Sequence, residues 1–202
     1  MADKPRIALV ISSVRKTRWA DKPAQWLLKK MQARTDIEAE IVDLRDFDLP
    51  IFDEPASNAY VPTSNPVARR WQETIAKFDG YVFLLAEYNR SITGALKNAL
   101  DHDYTGWNNK PMGLMAYGSA GGARAAEHMR LIAIELQMVP VRAGVHVGGS
   151  DFYRVGPYNP NPEPMEALED ALAGSVKDML DQVAWYARVL KAARAEKAAA
   201  AA

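Results

Sequence analysis

Short, nearly unbroken apolar runs alternate along this chain with stretches in which apolar residues recur every three or four positions. The runs are Arg6 to Ile11, Ile37 to Val42, Tyr81 to Leu85, Met112 to Tyr117 and Val139 to Val147. They lack the apolar–polar alternation of a half-exposed strand, so they predict strands buried on both faces. Helical spacing joins Ala24, Leu27, Leu28 and Met31, then Val67, Trp71, Ile75 and Phe78, then Leu96 and Leu100. It joins Ala125, Met129, Ile132, Ala133 and Leu136 in a fourth helix, and Leu168, Leu172, Val176, Met179, Val183, Tyr186 and Leu190 in a long fifth. Pro23 is acceptable in a first turn, and Asp79-Gly80 ends the second helix. Residues 44–60, with Pro50 and Pro55, and residues 148–165, rich in Gly, Pro and Asn, read as long loops.

Five strands alternating with five helices predict an α/β fold, a three-layer sandwich with a parallel sheet covered on both faces. The usual strand order for such a unit is 2-1-3-4-5, the flavodoxin-like arrangement. The 202 residues fit one domain, taken as 1–191, followed by an alanine-rich tail at 192–202 to which no function is assigned. Lys plus Arg and Asp plus Glu number 25 each, so no strong field draws the chain to nucleic acid or anionic lipid. There is no cysteine, which excludes disulfides, thiolate chemistry and Cys-ligated metal. The segment from Met1 through Arg6 into the first strand is too short and too β-like for a signal peptide, and no run approaches the length of a membrane span. A cytoplasmic protein is expected.

Ligands of open α/β sheets sit on the loops that follow the carboxyl ends of the strands. The first such loop holds Ser12, Ser13, Arg15, Lys16, Thr17 and Arg18. Its hydroxyls, arginines and helix N-terminus suit a phosphate, although the same residues can simply cap a helix with solvated charges. It is neither a Walker loop nor a Gly-x-Gly-x-x-Gly turn. The third loop, Glu87-Tyr88-Asn89, offers a carboxylate, an aromatic face, an amide and backbone N–H groups, a set suited to a flat heterocycle such as a flavin. Alternatively, Tyr88 covers the sheet end, Asn89 makes a left-handed turn, and Ser91 or Thr93 caps the next helix. Gly118 to Gly122 reads as a glycine-rich turn or as a close backbone approach to a ligand. All three loops fall on one edge of the sheet. His102, His128 and His146 show no ligand spacing, so no metal site is expected, and His128 reads as a surface residue. Asp43, Asp46, Asp48, Asp53 and Glu54 read as a solvated loop, and Trp107 as a candidate neighbour of the third loop.

Together these segments resemble the NADPH-dependent FMN reductase family of flavodoxin-like flavoproteins. The family's first loop, Gly-Ser-x-Arg with a following Pro-Gly-Arg, is matched at Ser13, Arg15 and Arg18; Ser12 replaces the Gly and Lys16-Thr17 the Pro-Gly. Its third loop, Pro-Glu-Tyr-Asn-Gly-Ser followed by Leu-Lys-Asn-Ala-x-Asp, is matched at Glu87, Tyr88, Asn89, Ser91, Leu96, Lys97, Asn98, Ala99 and Asp101. Ala86 replaces the Pro and Arg90 the Gly. Gly121, Gly122 and Arg124 match its fourth loop.

The resemblance implies FMN as cofactor and NADPH or NADH as co-substrate. It implies that Ser13, Arg15, Thr17 and Arg18 hold the phosphate, and that Glu87, Tyr88, Asn89 and Arg90 meet the isoalloxazine largely through backbone groups. Ser119, Gly121 and Gly122 would flank the pyrimidine end, and Trp19 and Ala20 complete the expected FMN-binding set. It also implies a ping-pong transfer of hydride to a small-molecule electron acceptor (a quinone, azo or nitro compound, metal oxyanion or free flavin), no catalytic side-chain acid or base, and a homodimer or homotetramer. Two rival readings stand beside it. One is a flavodoxin-like electron carrier without NAD(P)H activity, which usually has a Thr-rich phosphate loop and strong negative charge. The other is a scaffold that has lost FMN.

Overall fold

The computed structural model describes residues 4–201, so Met1 to Asp3 of the amino-terminal reading and Ala202 of the tail lie outside the described residues. The strands are β1 (Arg6–Ile11), β2 (Glu38–Asp43), β3 (Gly80–Ala86), β4 (Pro111–Tyr117), β5 (Val139–Pro140) and β6 (Val145–Val147). The helices are α1 (Asp21–Gln32), α2 (Pro66–Ala76), α3 (Gly94–Asp101), α4 (Ala123–Glu135), α5 (Gly149–Val155) and α6 (Glu169–Ala201). All strand pairs are parallel, in the order β2-β1-β3-β4-β5, with β6 also on β4. This is the flavodoxin-like sheet expected.

Every residue of β3 and β4 is buried, as unbroken apolar strands at the sheet centre should be. Successive side chains face opposite ways. Leu9, Val82, Leu84 and Met115 therefore pack under α1 and α6, while Ala8, Val10, Phe83 and Leu114 pack under α2, α3 and α4. Buried Trp71 on α2 donates Nε1–H to Ala99 O of α3 at 2.7 Å, fastening two helices of one layer. Gly113 of β4 lets α6 approach closely, since a Cβ there would lie 2.9 Å from Val183 Cγ2.

Three expectations are corrected. The run from Val139 to Val147 is not one strand. It breaks between Pro140 and Val145, and Ala143 N–H donates to Gln182 Oε1 of α6 at 3.2 Å rather than to a strand. Residues 148–165 are not all loop. They contain α5, held by Trp19 Nε1–H donating to Val155 O at 2.8 Å. Trp107 is not near the third loop: it is buried against Tyr81 (ring centroids 4.7 Å apart) towards the opposite end of β3. The alanine-rich segment continues α6 as far as Ala201, and Arg194 and Lys191 both reach Asp79, at 2.7 and 3.1 Å.

The register fixes where chemistry can occur. Ile11 pairs with Leu84, Ala86 with Tyr117, and Tyr117 with Val147. The loops after β1, β3, β4 and β6 thus leave the sheet side by side.

Candidate cofactor site

Those four loops enclose a cavity of about 720 Å³. The loop after β1 contributes Ser13, Arg15, Thr17, Arg18 and Trp19, and the loop after β3 contributes Glu87 and Tyr88. Tyr117, Gly118 and Ser119 come from the end of β4, and Gly149, Phe152, Tyr153, Pro157 and Tyr158 from α5 and its flanks. Of the residues expected in the site, Ser13, Arg15, Thr17, Arg18, Trp19, Glu87, Tyr88 and Ser119 meet on this wall.

The others stand behind or beside it. Ala20 is buried and accepts from Ala24 N at 3.0 Å, starting α1. Gly121 and Gly122 have φ of +67° and +66°, and a Cβ on Gly122 would lie 2.7 Å from Ala116 Cβ and Tyr117 N. They shape the turn into α4, which only glycine can make at that separation. Asn89 and Arg90 form the exposed tip of a hairpin closed by Tyr88 and Ser91, each donating N–H to the other's carbonyl at 2.9 Å. Both tip residues have positive φ, 48° and 68°.

Ser12, which stands in place of the glycine of the loop pattern this segment resembles, is fully buried; its Oγ donates to Leu84 O at 2.6 Å and its carbonyl accepts from Thr93 Oγ1 at 2.8 Å. Thr93, not Ser91, caps α3, accepting from Leu96 N at 3.2 Å. Ser91 instead bonds His128 Nδ1 at 2.6 Å, and His128 is exposed as expected.

The charges of the site sort into paired and available groups. The Arg18 side chain is only 3% exposed and is saturated by Asp43, Asp21 and Ser13 O. The Asp43 bond, then the one to Asp21, hold its proton still more tightly than usual despite burial. Asp43 is therefore no solvated loop residue. Burial pushes its carboxyl up, yet the Arg18 guanidinium and Arg45 N–H keep it below the ordinary range. Glu87 is likewise consumed: it accepts from Arg124 N at 3.1 Å and Ala125 N at 3.4 Å, and pairs with the Arg124 guanidinium. Arg15 is exposed, and its Nη1 donates only to Tyr88 Oη, at 2.8 Å. Burial pushes the Tyr117 phenol up, so it stays neutral at any physiological pH.

Arg15 is thus the cation that the cavity leaves uncompensated. Around it, among the described residues, the N–H groups of Val14, Lys16 and Thr17 and the Ser13 and Thr17 hydroxyls have no protein acceptor or donor. This unpaired set is what an anionic phosphate requires. The N–H group of Ser119, which lines the cavity with Tyr88, is similarly unpaired, as is that of the adjacent Ala120, and a nitrogen- and oxygen-rich ring edge could accept from them. The residues present fit FMN, and Arg15 rather than Arg18 is the guanidinium left without a carboxylate partner.

Sequence reasoning missed the wall made by Phe152, Tyr153, Pro157 and Tyr158. Its one signal was a cluster of aromatics inside a Gly/Pro/Asn-rich stretch following a strand. Trp19 joins that wall edge-on to Tyr117 and Phe152, with centroids 4.8 and 5.2 Å apart.

Residues 5–151 match the family of NADPH-dependent FMN reductases. The NAD(P)H-dependent FMN reductase ntnL of a Nectria species is 34% identical over 147 residues, 68% of this chain and 73% of that protein. A quinone reductase of Pseudomonas putida is 29% identical over 182 residues, 85% of this chain and 94% of that one. Among solved structures, FerB, a flavoenzyme NAD(P)H:(acceptor) oxidoreductase from Paracoccus denitrificans, superposes with a TM-score of 0.65 at 19% identity, covering 91% of this chain and 97% of its own. That likeness confirms the fold. Sheet order, site composition and sequence agree: this chain belongs to the NADPH-dependent FMN reductase family.

Proposed function

We propose that this chain is an FMN-dependent NAD(P)H oxidoreductase that reduces small acceptors such as quinones, azo or nitro compounds, metal oxyanions or free flavin, in a ping-pong cycle. The observation that carries this reading is the cavity with one uncompensated cation, Arg15, set among unpaired N–H and hydroxyl groups. Bound FMN would supply the hydride chemistry, receiving from NAD(P)H and delivering to the acceptor. Ser13, Arg15 and Thr17 would hold its phosphate. Arg18 acts behind them, clamping the loop through Asp21 and Asp43. The Tyr88 hairpin forms one wall, and the N–H groups of Ser119 and Ala120 can stabilise negative charge on the ring edge. The aromatic wall from Trp19 to Tyr158 presents flat apolar surface to a planar substrate. No side chain is needed as an acid or base.

Exposed Leu131, Ile134, Trp185 and Val189 support assembly into a homodimer or homotetramer. Among the described residues no helix is long and apolar enough to cross a membrane. We place the enzyme in the cytoplasm and read residues 1–191 as its FMN-binding unit.

The test is the absorption spectrum of the purified protein after equilibration with FMN, followed by NADH and NADPH oxidation with a quinone. A flavin band and rapid oxidation are expected. Flavin binding without oxidation would favour the electron carrier, and no flavin binding would leave the scaffold.

A further inference from the structure

We infer that Arg90 is a specificity-determining residue that recognises an anionic group on the substrate, either the ribose phosphate of NADPH or an acidic substituent on the acceptor. The inference rests on reading the cavity as a reductase site, and it starts from backbone strain. Asn89 and Arg90 occupy the two central positions of the Tyr88–Ser91 hairpin, both with positive φ. Asparagine tolerates that conformation, but an arginine does not adopt it without cost, and glycine would remove the cost. Strained non-glycine residues concentrate at functional sites.

The hairpin is also pinned at both ends. Tyr88 Oη takes the Arg15 guanidinium at 2.8 Å, and Ser91 Oγ bonds His128 Nδ1 of α4 at 2.6 Å. The backbone cannot relax away from the strained turn without losing those contacts. What the strain retains is therefore the Arg90 side chain.

That side chain is exposed and, among the described residues, has no hydrogen-bond or ion-pair partner. The nearest carboxylate in sequence, Glu87, is taken by Arg124 and the first turn of α4. The cofactor phosphate would have its own cation in Arg15 on the neighbouring loop after β1. Arg90 is left as an uncompensated guanidinium two residues from Tyr88, which lines the cavity. A planar fork of N–H donors at that place suits a phosphate, sulfonate or carboxylate carried by a ligand bound there.

The experiment uses FMN-loaded wild-type, Arg90→Gly and Arg90→Lys proteins. Calorimetry compares NADP+ with NAD+, and a sulfonated with an unsulfonated naphthoquinone; KM ratios for NADPH over NADH and for the same quinones are normalised to bound FMN. Arg90→Gly relaxes the turn, so misfolding cannot explain its result. We expect it to worsen one charged-to-neutral affinity ratio by about five-fold or more, with Arg90→Lys retaining most of the preference and 0.5 M salt (on the order of a Debye length of a few ångströms) erasing it in the wild type. Which pair responds identifies the source of the anion. Both ratios within two-fold of wild type would overturn the inference, as would equal losses for charged and neutral ligands. If the wild type oxidises neither nucleotide, the reductase reading fails, while the calorimetric ratios still decide the role of Arg90.

Discussion

Glu87→Gln tests whether the third loop is built by this carboxylate. Glu87 is 6% exposed and serves α4 from outside the helix, accepting from Arg124 N and Ala125 N. Gly122 at the helix start has no side chain to cap with, so Glu87 supplies the negative end that the macrodipole favours. Glutamine keeps the size and one carbonyl oxygen but removes the charge. A carboxylate at a partly buried helix N-terminus contributes about 1–2 kcal/mol. The ion pair with Arg124 adds about 1 kcal/mol, because Arg124 is half-buried and can turn to water once released. The expected loss is therefore about 2–3 kcal/mol, read as a lower urea midpoint at unchanged slope. A double-mutant cycle with Arg124→Met should return a coupling of about 1 kcal/mol. FMN affinity should fall in parallel, since Glu87 ties the loop after β3 to the helix after β4. Unfolding within about 0.5 kcal/mol of wild type, comparable to an ordinary surface change, would refute the reasoning.

Arg15→Ala should weaken FMN binding by about ten-fold or more, since a charge-assisted contact is lost, measured by quenching of flavin fluorescence, with little change in the melting point; Arg18→Ala should lower stability instead, because it leaves Asp43 half-buried without its guanidinium partner. Lys110 lies buried under Tyr81, donating to Tyr81 Oη at 3.0 Å, and burial, then Arg194, push its pKa down to about 8. Between that value and the ordinary lysine range the native chain holds fewer protons than the unfolded one, so stability should rise with pH across about 8 to 10.5, by up to roughly 3 kcal/mol. Lys110→Met should flatten that rise in urea midpoints taken across the window, and an unaltered slope would show that the lysine keeps its ordinary affinity for protons. Asp79→Ala should remove the ion pairs that Arg194 and Lys191 make with it and increase amide exchange in the last turns of α6, leaving exchange in β3 and β4 unaffected.

The sequence by itself determined the sheet. Unbroken apolar runs such as Tyr81 to Leu85 can be satisfied only at the centre of a parallel sheet with helices on both faces, and helix spacing supplied those helices. The order then put the loops after β1, β3 and β4 on one edge, so Ser13, Arg15, Tyr88 and Ser119 were legible as neighbours. Only the tertiary structure decided which of the polar residues remain free. Arg15 and Arg18 look alike in the chain, yet Asp43, brought in from the end of β2, consumes one and leaves the other. Glu87 and Ser91 carry groups fit for a ligand, but α4 takes the first for its N-terminus and the second for His128. α5 and the aromatic wall were hidden for a related reason: seven residues have too little periodicity to announce a helix, and this one is held by a Trp19 hydrogen bond across 136 positions. Apolar pattern is a local property that burial enforces everywhere along an element. The partner of a polar group is set by whatever distant segment the fold brings within hydrogen-bond reach.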